Sequence, residues 1–177
     1  MFLSGLKEKS IVRKIRKDVE KRSFSLSRKR ISTIAILQIA DSPFDDKQVE
    51  VLANQLGVSD ANITRLTYHS KITKAQKDDV GLVTDKQLGW KGVFKAKHLK
   101  EFTQKKFDLL VSFQDSDLLC LQSIVAGSNA QMKVGISEDD YGIYDLVIHT
   151  KSGNEAVFVK ELNKYLEILK VSNNAAV

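Results

Sequence analysis

Carboxylates and small polar residues follow two apolar runs in residues 107–140, FDLLVSFQDSDLLCLQSIVAGSNAQMKVGISEDD. Each run has the length of a buried strand, and the strand ends of an α/β enzyme are where a metal ion or a catalytic base would be held. Another apolar run ends in the same way near residue 41. The candidate ligand pocket comprises the polar residues at these three strand ends: Asp41, Ser42, Gln114, Asp115, Ser116, Asp117 and Ser137.

Carboxylates brought together at one edge would suit Mg²⁺, a cation that prefers oxygen ligands. Capping is the simpler interpretation, because Asp and Ser are preferred helix N-caps and each stabilises a helix by about 1 kcal/mol. The phosphate-binding patterns GxGxxG and GxxxxGK[ST] are both missing from the sequence. A phosphoacceptor domain needs a lysine at the end of a later strand, where this chain has Ser137 and Glu138. We therefore expect capping at this edge, with no catalytic residue, no cofactor and no bound metal.

The thiol and imidazole groups offer no further site. Cys120 is the single cysteine and lies in the apolar pattern LLCLQSIV, so neither a disulfide framework nor a CxxC metal site can form. The histidines at 69, 98 and 149 share no metal-ligand spacing. MFLSGL is too short for a signal peptide, and the other apolar runs are too short to span a membrane. We expect a reduced, cytoplasmic protein.

Short apolar runs alternate with helical patterns along most of the chain. This alternation predicts a mostly parallel sheet with helices on both faces. The predicted strands cover 33–39, 62–68, 81–84, 108–113, 132–136 and 145–149, and the predicted helices cover 4–23, 42–57, 97–105, 116–126 and 154–169. In the second helix, Ser42 and Pro43 are taken as the cap and first-turn residues and Gly57 as the end. Residues 85–106, with Trp90 and Phe94, are the hardest part to assign.

The sequence thus predicts a single Rossmann-like α/β domain over residues 32–170, with five or six strands. A basic helical arm over residues 1–31 precedes the domain, and a frayed tail over residues 171–177 follows it. The arm has eleven basic and three acidic side chains, which leaves 17 basic and 19 acidic side chains for the remainder. Such asymmetry indicates an anionic partner. The basic residues of the arm are Lys7, Lys9, Arg13, Lys14, Arg16, Lys17, Lys21, Arg22, Arg28, Lys29 and Arg30.

Three uses of the arm remain open. It could contact the phosphates of RNA or DNA, lie on an anionic membrane surface, or pack a narrow apolar stripe (Ile11, Val12, Ile15 and Val19) on the protein itself. Phe2 and Phe24 are its only aromatic residues, so base stacking is not expected from the arm. RNA or a ribonucleoprotein is favoured over a membrane surface, because Phe2, Leu3 and Leu6 fall on a different helix face from the stripe.

Two resemblances bear on the fold. Residues 107–136 are similar to the strand, helix and "K-x-G" strand of the N-terminal domain of heptosyltransferase-like glycosyltransferases, whose nucleotide-sugar site lies largely in a second domain. Nearly the full chain resembles an uncharacterised family of small bacterial Rossmann-like proteins. That family shares the basic first helix and four further motifs, and the resemblance implies the fold but no catalytic residue. In this chain the motifs are W-x-G at Trp90–Gly92, "DLL" at Asp108–Leu110, "KVGI" at Lys133–Ile136 and "KYL" at Lys164–Leu166.

These observations favour a non-catalytic binding or adaptor protein that docks to RNA or a ribonucleoprotein through the arm. One alternative is an enzyme-like domain that binds a sugar nucleotide or Mg²⁺ at the acidic strand ends, with a partner chain supplying a second domain. The other alternative is a peripheral protein of the membrane surface.

The two interpretations of the acidic strand ends differ in their response to Mg²⁺. If the residues are separate caps, millimolar Mg²⁺ leaves the melting temperature unchanged and Asp115→Asn has little effect, because Asn caps about as well as Asp. If a metal site exists, Mg²⁺ raises the melting temperature of the wild type, and Asp115→Asn abolishes that rise. We expect no Mg²⁺ effect in thermal unfolding.

Overall fold

The computed structural model describes residues 2–23, 30–40, 44–72, 81–114, 117–150 and 154–169. Six parallel strands form one sheet in the order β3-β2-β1-β4-β5-β6. The strands are β1 (Ile34–Ile39), β2 (Ile63–Tyr68), β3 (Leu82–Val83), β4 (Lys106–Phe113), β5 (Asn129–Gly135) and β6 (Leu146–Val147). The α-helices are α1 (Phe2–Lys21), α2 (Asp46–Leu56), α3 (Lys97–Gln104), α4 (Leu119–Gly127) and α5 (Glu155–Ile168).

The strand order confirms the predicted Rossmann-like α/β fold. From β1 the chain adds strands on one side, to β3, and then crosses to add β4, β5 and β6 on the other side. The switch point therefore lies between β1 and β4, which are hydrogen-bonded parallel neighbours with Ile34 opposite Leu109. A ligand of such a sheet binds at this switch point, outside the carboxyl ends of the strands.

Alternating side chains of the central strands supply two separate cores. In β1, Ile34 and Ile36 contribute to one core and Ala35 and Leu37 to the other. Helices α2 and α5 cover the first core, and helices α1, α3 and α4 cover the second. Helices therefore lie on both faces of the sheet, as the alternating pattern predicted.

Helix α1 is part of this packing. Ile11 and Ile15 are buried in the same core as Phe94 and Ile124, and Val19 packs against its edge. Three of the four residues of the apolar stripe thus pack in the protein's own core, whereas Val12 is half-buried and lines a surface cleft. Within the described ranges, no helix has the length and apolar character that crossing a bilayer demands.

The predicted starts of two helices are wrong. Helix α2 begins at Asp46, and its cap is Asp45, whose carboxylate accepts a hydrogen bond from the Gln48 backbone N–H at 3.0 Å. Because α2 begins only after Asp45, the preceding Phe44 lies outside the helix and is fully buried in the core. Helix α4 begins at Leu119, three residues later than predicted. The predicted C-cap, Gly57, is correct and has a left-handed φ of 61°.

A buried charge cluster ties the end of α1 to the sheet. Both terminal nitrogens of the Arg22 guanidinium donate to the Asp145 carboxylate at 2.5 Å, and one of them also donates to the Gln131 carbonyl at 2.9 Å. Next to this pair, the Lys133 side chain is only 1% exposed and donates to the Ala126 carbonyl at 3.0 Å. Burial, and then the charge of Arg22, lower the pKa of Lys133 to about 7, while Asp145 opposes that shift.

Lys133 gives the free energy of unfolding a specific pH dependence. The pKa of an unfolded-state lysine is about 10.4, so between pH 7 and that value the unfolded chain binds more protons than the folded protein. Stability therefore rises with pH across this window, by up to about 1.4 kcal/mol per pH unit. Below pH 7 the lysine is protonated in both states, and its contribution no longer changes with pH.

We expect Lys133→Met to remove this rise, as measured by urea unfolding at pH 6, 7.5 and 9. Lys160→Met is the matched control, because Lys160 is exposed on α5 and the change removes the same charge. Between pH 7.5 and 9, the free energy of unfolding should rise more in the wild type and in Lys160→Met than in Lys133→Met. Parallel pH profiles for all three proteins would contradict the expectation.

Candidate nucleic-acid interface

The outer face of α1 carries a row of exposed cations. At 100° per residue, Lys9, Arg13, Arg16 and Lys17 project opposite the buried Ile11 and Ile15, and all four are exposed. Within the described part of the chain, Lys9, Arg13 and Lys17 have no ion-pair partner. The Arg16 guanidinium lies 6.0 Å from the centre of the Tyr141 ring, within cation–π range. These residues offer positive charge directly to solvent.

The other predicted cations of the arm differ in their surroundings. Arg22 is held by Asp145, so it has a structural partner. Lys14 pairs with Asp18 one turn along the helix. Lys7 is partly buried, whereas Lys21 and Arg30 are exposed. Arg28 and Lys29 lie outside the described residues. The predicted set is therefore divided between an outward face and groups that stabilise the fold.

A second group of lysines lies beside α1. The backbone N–H of Lys91 donates to the Ser10 hydroxyl at 3.0 Å, which places the turn after β3 against the helix. Lys14 and Lys100 line one cavity of about 230 Å³ between α1 and α3. Lys21 and Lys106 line another, of about 650 Å³. Lys91, Lys100 and Lys106 thus lie beside α1, whereas the Lys105 ammonium donates to the Thr64 hydroxyl on β2 at 3.0 Å.

We call the exposed cations of α1 and of residues 91–106 the basic surface. Its members are Lys9, Arg13, Lys14, Arg16, Lys17, Lys21, Lys91, Lys95, Lys97, Lys100, Lys105 and Lys106. Helix α1 and residues 91–106 together carry 13 basic and 4 acidic side chains. On the other face of the sheet, α2 with its cap and α5 carry three basic and six acidic side chains. Positive charge is therefore concentrated on α1 and residues 91–106, whereas α2 and α5 are acidic.

A cleft of about 1020 Å³ connects α1 with the carboxyl edge of the sheet. Arg13, Arg16 and Lys17 line it from the helix, and Asp117 and Asp140 line it from the loops after β4 and β5. The acidic strand ends and the basic helix, which the sequence presented as separate features, thus share one cleft. The cations of the outer row of α1 therefore line the cleft too, and the carboxylates of Asp117 and Asp140 moderate their charge there.

The predicted ligand pocket is described in part. Asp41, Ser42, Asp115 and Ser116 lie outside the described residues. Gln114 is 4% exposed, and its backbone carbonyl accepts from the Ser137 hydroxyl at 3.2 Å. Asp117 is exposed and lines the cleft beside α1 instead of facing Gln114 and Ser137.

Gln114 and Ser137 form a small polar cluster with Tyr144. The Gln114 side-chain nitrogen lies 3.5 Å from the Tyr144 hydroxyl, and the Gln114 side-chain oxygen has no hydrogen-bond partner among the described residues. The Tyr144 ring lies so close to Gly135 that a Cβ there would fall 2.7 Å from it. Among the described residues, no group of three or more His, Cys, Asp or Glu side chains could hold a metal ion. The cluster offers hydrogen bonds but no charge of its own.

The buried thiol and a buried phenol are held in their neutral forms. Burial, and then the charge of Asp85, raise the pKa of Cys120 to about 12. Burial, and then the hydrogen bond from its hydroxyl to Asp85 at 2.8 Å, raise the pKa of Tyr68 to about 12 as well. Cys120 is therefore a core residue and a poor nucleophile at neutral pH.

Sequence reasoning missed the lysines of residues 91–106 because it assigned the excess of positive charge to residues 1–31 alone. The available signal was its composition, with six lysines against one glutamate, at Glu101. Their position beside α1 depends on the contact between Lys91 and Ser10, which are 81 residues apart.

Comparison with known proteins gives a family. No curated protein and no solved structure matches the chain. The model of one family, described as a family of unknown function (DUF6913), matches residues 7–169. The match includes most of α1 and every strand and helix that follows it, to the end of α5. Because it covers most of the sequence, the chain belongs to this family of unknown function.

Proposed function

We propose that the protein is a binding or adaptor protein that docks to RNA, or to a ribonucleoprotein, through the basic surface. The observation that carries the proposal is the concentration of positive charge on α1 and residues 91–106, with 13 basic and 4 acidic side chains, against three basic and six acidic side chains on α2 with its cap and α5. A polyanion such as RNA gains most from a broad cationic face, because each phosphate contact releases a condensed counterion.

The unpaired cations support contact with a phosphate backbone. Lys9, Arg13 and Lys17 project from a helix whose other side is fixed in the core, so their spacing along α1 is set before a partner arrives. A preorganised row loses less conformational entropy on binding than a flexible tail does. The acidic face formed by α2 and α5 would repel the same polyanion and so orient the protein on it.

The burial of the apolar stripe favours RNA over a membrane surface. An amphipathic helix binds a bilayer by inserting its apolar face. In α1 that face is occupied by the core through Ile11 and Ile15. A membrane would therefore have to be held mainly by charge. We place the protein in the cytoplasm in this proposal, where RNA is present and the Cys120 thiol stays reduced.

Replacement of Lys9, Arg13 and Lys17 by Gln should weaken RNA binding and reduce its salt dependence. Each lost phosphate contact lowers the slope of log affinity against log salt by about 0.7 for a single strand, so the triple variant should lose about 2. Binding is measured by fluorescence anisotropy with a labelled RNA between 50 and 200 mM salt, a range over which a protein that makes six or more phosphate contacts loses about 10³ or more in affinity.

The matched control is the triple change of Lys47, Lys160 and Lys164 to Gln on α2 and α5. Both variants lower the net charge of +6 by three, so they differ only in the face that loses charge. The control should bind RNA nearly as tightly as the wild type. Equal losses in the two variants would mean that net charge alone governs binding. Failure of the wild type to bind RNA at low salt would overturn the proposal.

A further inference from the structure

An exposed tryptophan lies within the basic surface. Trp90 is the single tryptophan of the chain and is 50% exposed, and the neighbouring Val93 is 56% exposed. A lone exposed apolar side chain is common on protein surfaces and indicates nothing by itself. Trp90, however, precedes Lys91 in the turn that contacts α1, and Lys95, Lys97 and Lys100 follow in the same segment.

The turn that presents Trp90 is fixed by hydrogen bonds. Gly89 N–H donates to the Val93 carbonyl at 2.8 Å, and Val93 N–H donates to the Trp90 carbonyl at 3.2 Å. Leu88 and Phe94 pair in antiparallel fashion just outside these contacts, and both are buried in the core. The turn is therefore a short hairpin anchored on each side by a core residue.

Two features at the tip of this hairpin hold it on α1. Lys91 has a φ of 58°, a left-handed conformation that residues other than glycine seldom adopt. It is stabilised there by the hydrogen bond from its N–H to the Ser10 hydroxyl. Gly92, with a φ of 67°, lies so close to α1 that a Cβ would fall 2.9 Å from the Lys14 side chain. The hairpin thus fixes the backbone of Trp90 next to the part of α1 that carries Ser10 and Lys14.

We propose that Trp90 is a stacking platform for the bases of single-stranded RNA, whose phosphates are held by the surrounding lysines. This inference rests on the proposed function and deepens it by naming the form of RNA. Proteins that bind single strands combine a cationic path for the backbone with aromatic rings on which bases stack. A half-exposed indole on a fixed hairpin among lysines supplies both parts.

Single-stranded RNA fits this arrangement better than a duplex. The bases of a duplex are stacked within the helix, so an aromatic ring on a protein surface cannot reach their faces. Unpaired bases leave both faces open. The cations of α1 alone would bind either form, whereas the contribution of Trp90 is specific to the single strand.

The emission of Trp90 provides a direct test, because no other tryptophan contributes to it. Oligouridylate of about 15 nucleotides, a length that fills one single-strand site, should quench the emission of the wild type. An RNA duplex of similar length should leave the emission nearly unchanged. Anisotropy with the same labelled RNAs reports the affinities independently.

Trp90→Ala should weaken binding of the oligouridylate about tenfold, which corresponds to about 1.4 kcal/mol, and should leave duplex binding unaltered. For Trp90→Ala, the slope of log affinity against log salt should equal that of the wild type, because no charge is lost. Trp90→Phe should retain part of the affinity. Tyr165→Ala is the control, because Tyr165 is an exposed aromatic residue on α5, on the opposite face, and its loss should not affect binding.

The outcomes separate this inference from the function on which it rests. If the RNA binds Trp90→Ala as tightly as the wild type, or if binding occurs without a change in emission, the stacking platform is overturned and the phosphate-binding surface stands. If Lys9, Arg13 and Lys17 can be replaced without effect, the proposed function itself fails. Vesicles of phosphatidylserine and phosphatidylcholine that bind the protein when RNA does not would overturn both.

Discussion

The burial of Ile11 and Ile15 is the interaction on which the basic surface depends. A 20-residue helix with seven cations has little reason to form alone, since its like charges repel and most helical stability in proteins comes from packing. Packing on α4 and on the turn at Trp90–Gly92 fixes the rotation of α1 about its own axis. Because one face must point into the core, the row at Lys9, Arg13 and Lys17 must point to solvent.

The helices on the two faces of the sheet differ in surface charge, although both layers cover the sheet with apolar side chains. A parallel sheet must be covered on both faces, and each layer supplies an apolar core of similar kind. The surfaces of the layers are free to differ. Where a cation would face the sheet, as Arg22 does, an acidic partner such as Asp145 neutralises it. Where cations face solvent, no such partner is needed, so positive charge accumulates.

The strands of the sheet could be predicted because near-continuous apolar runs dominate their local signal. This held for β1, β4 and β5, whose positions differ from the predicted ones by a few residues at their ends. The hairpin that carries Trp90 could not be predicted, because the left-handed Lys91 owes its conformation to Ser10 on a distant helix. Arg22 resembled the other cations of the arm in sequence, and its partner is 123 residues away. The predicted start of α2 was wrong for a local reason. Asp45 and Ser42 are both suitable cap residues, and it is the Asp45 carboxylate that accepts a hydrogen bond from the Gln48 backbone N–H.

The distance in sequence between Arg22 and Asp145 bears on the order of events during synthesis. Helix α1 is made early, but α4 and the Asp145 carboxylate that secure it are made about a hundred residues later. At a translation rate of roughly 5–20 residues per second, the nascent helix waits several seconds or longer with Ile11 and Ile15 uncovered. Contacts between residues so far apart in the sequence also form slowly during folding. The segment that ends as a rigid, outward-facing cationic ridge is therefore, on the ribosome, the part of the domain that completes its packing among the last.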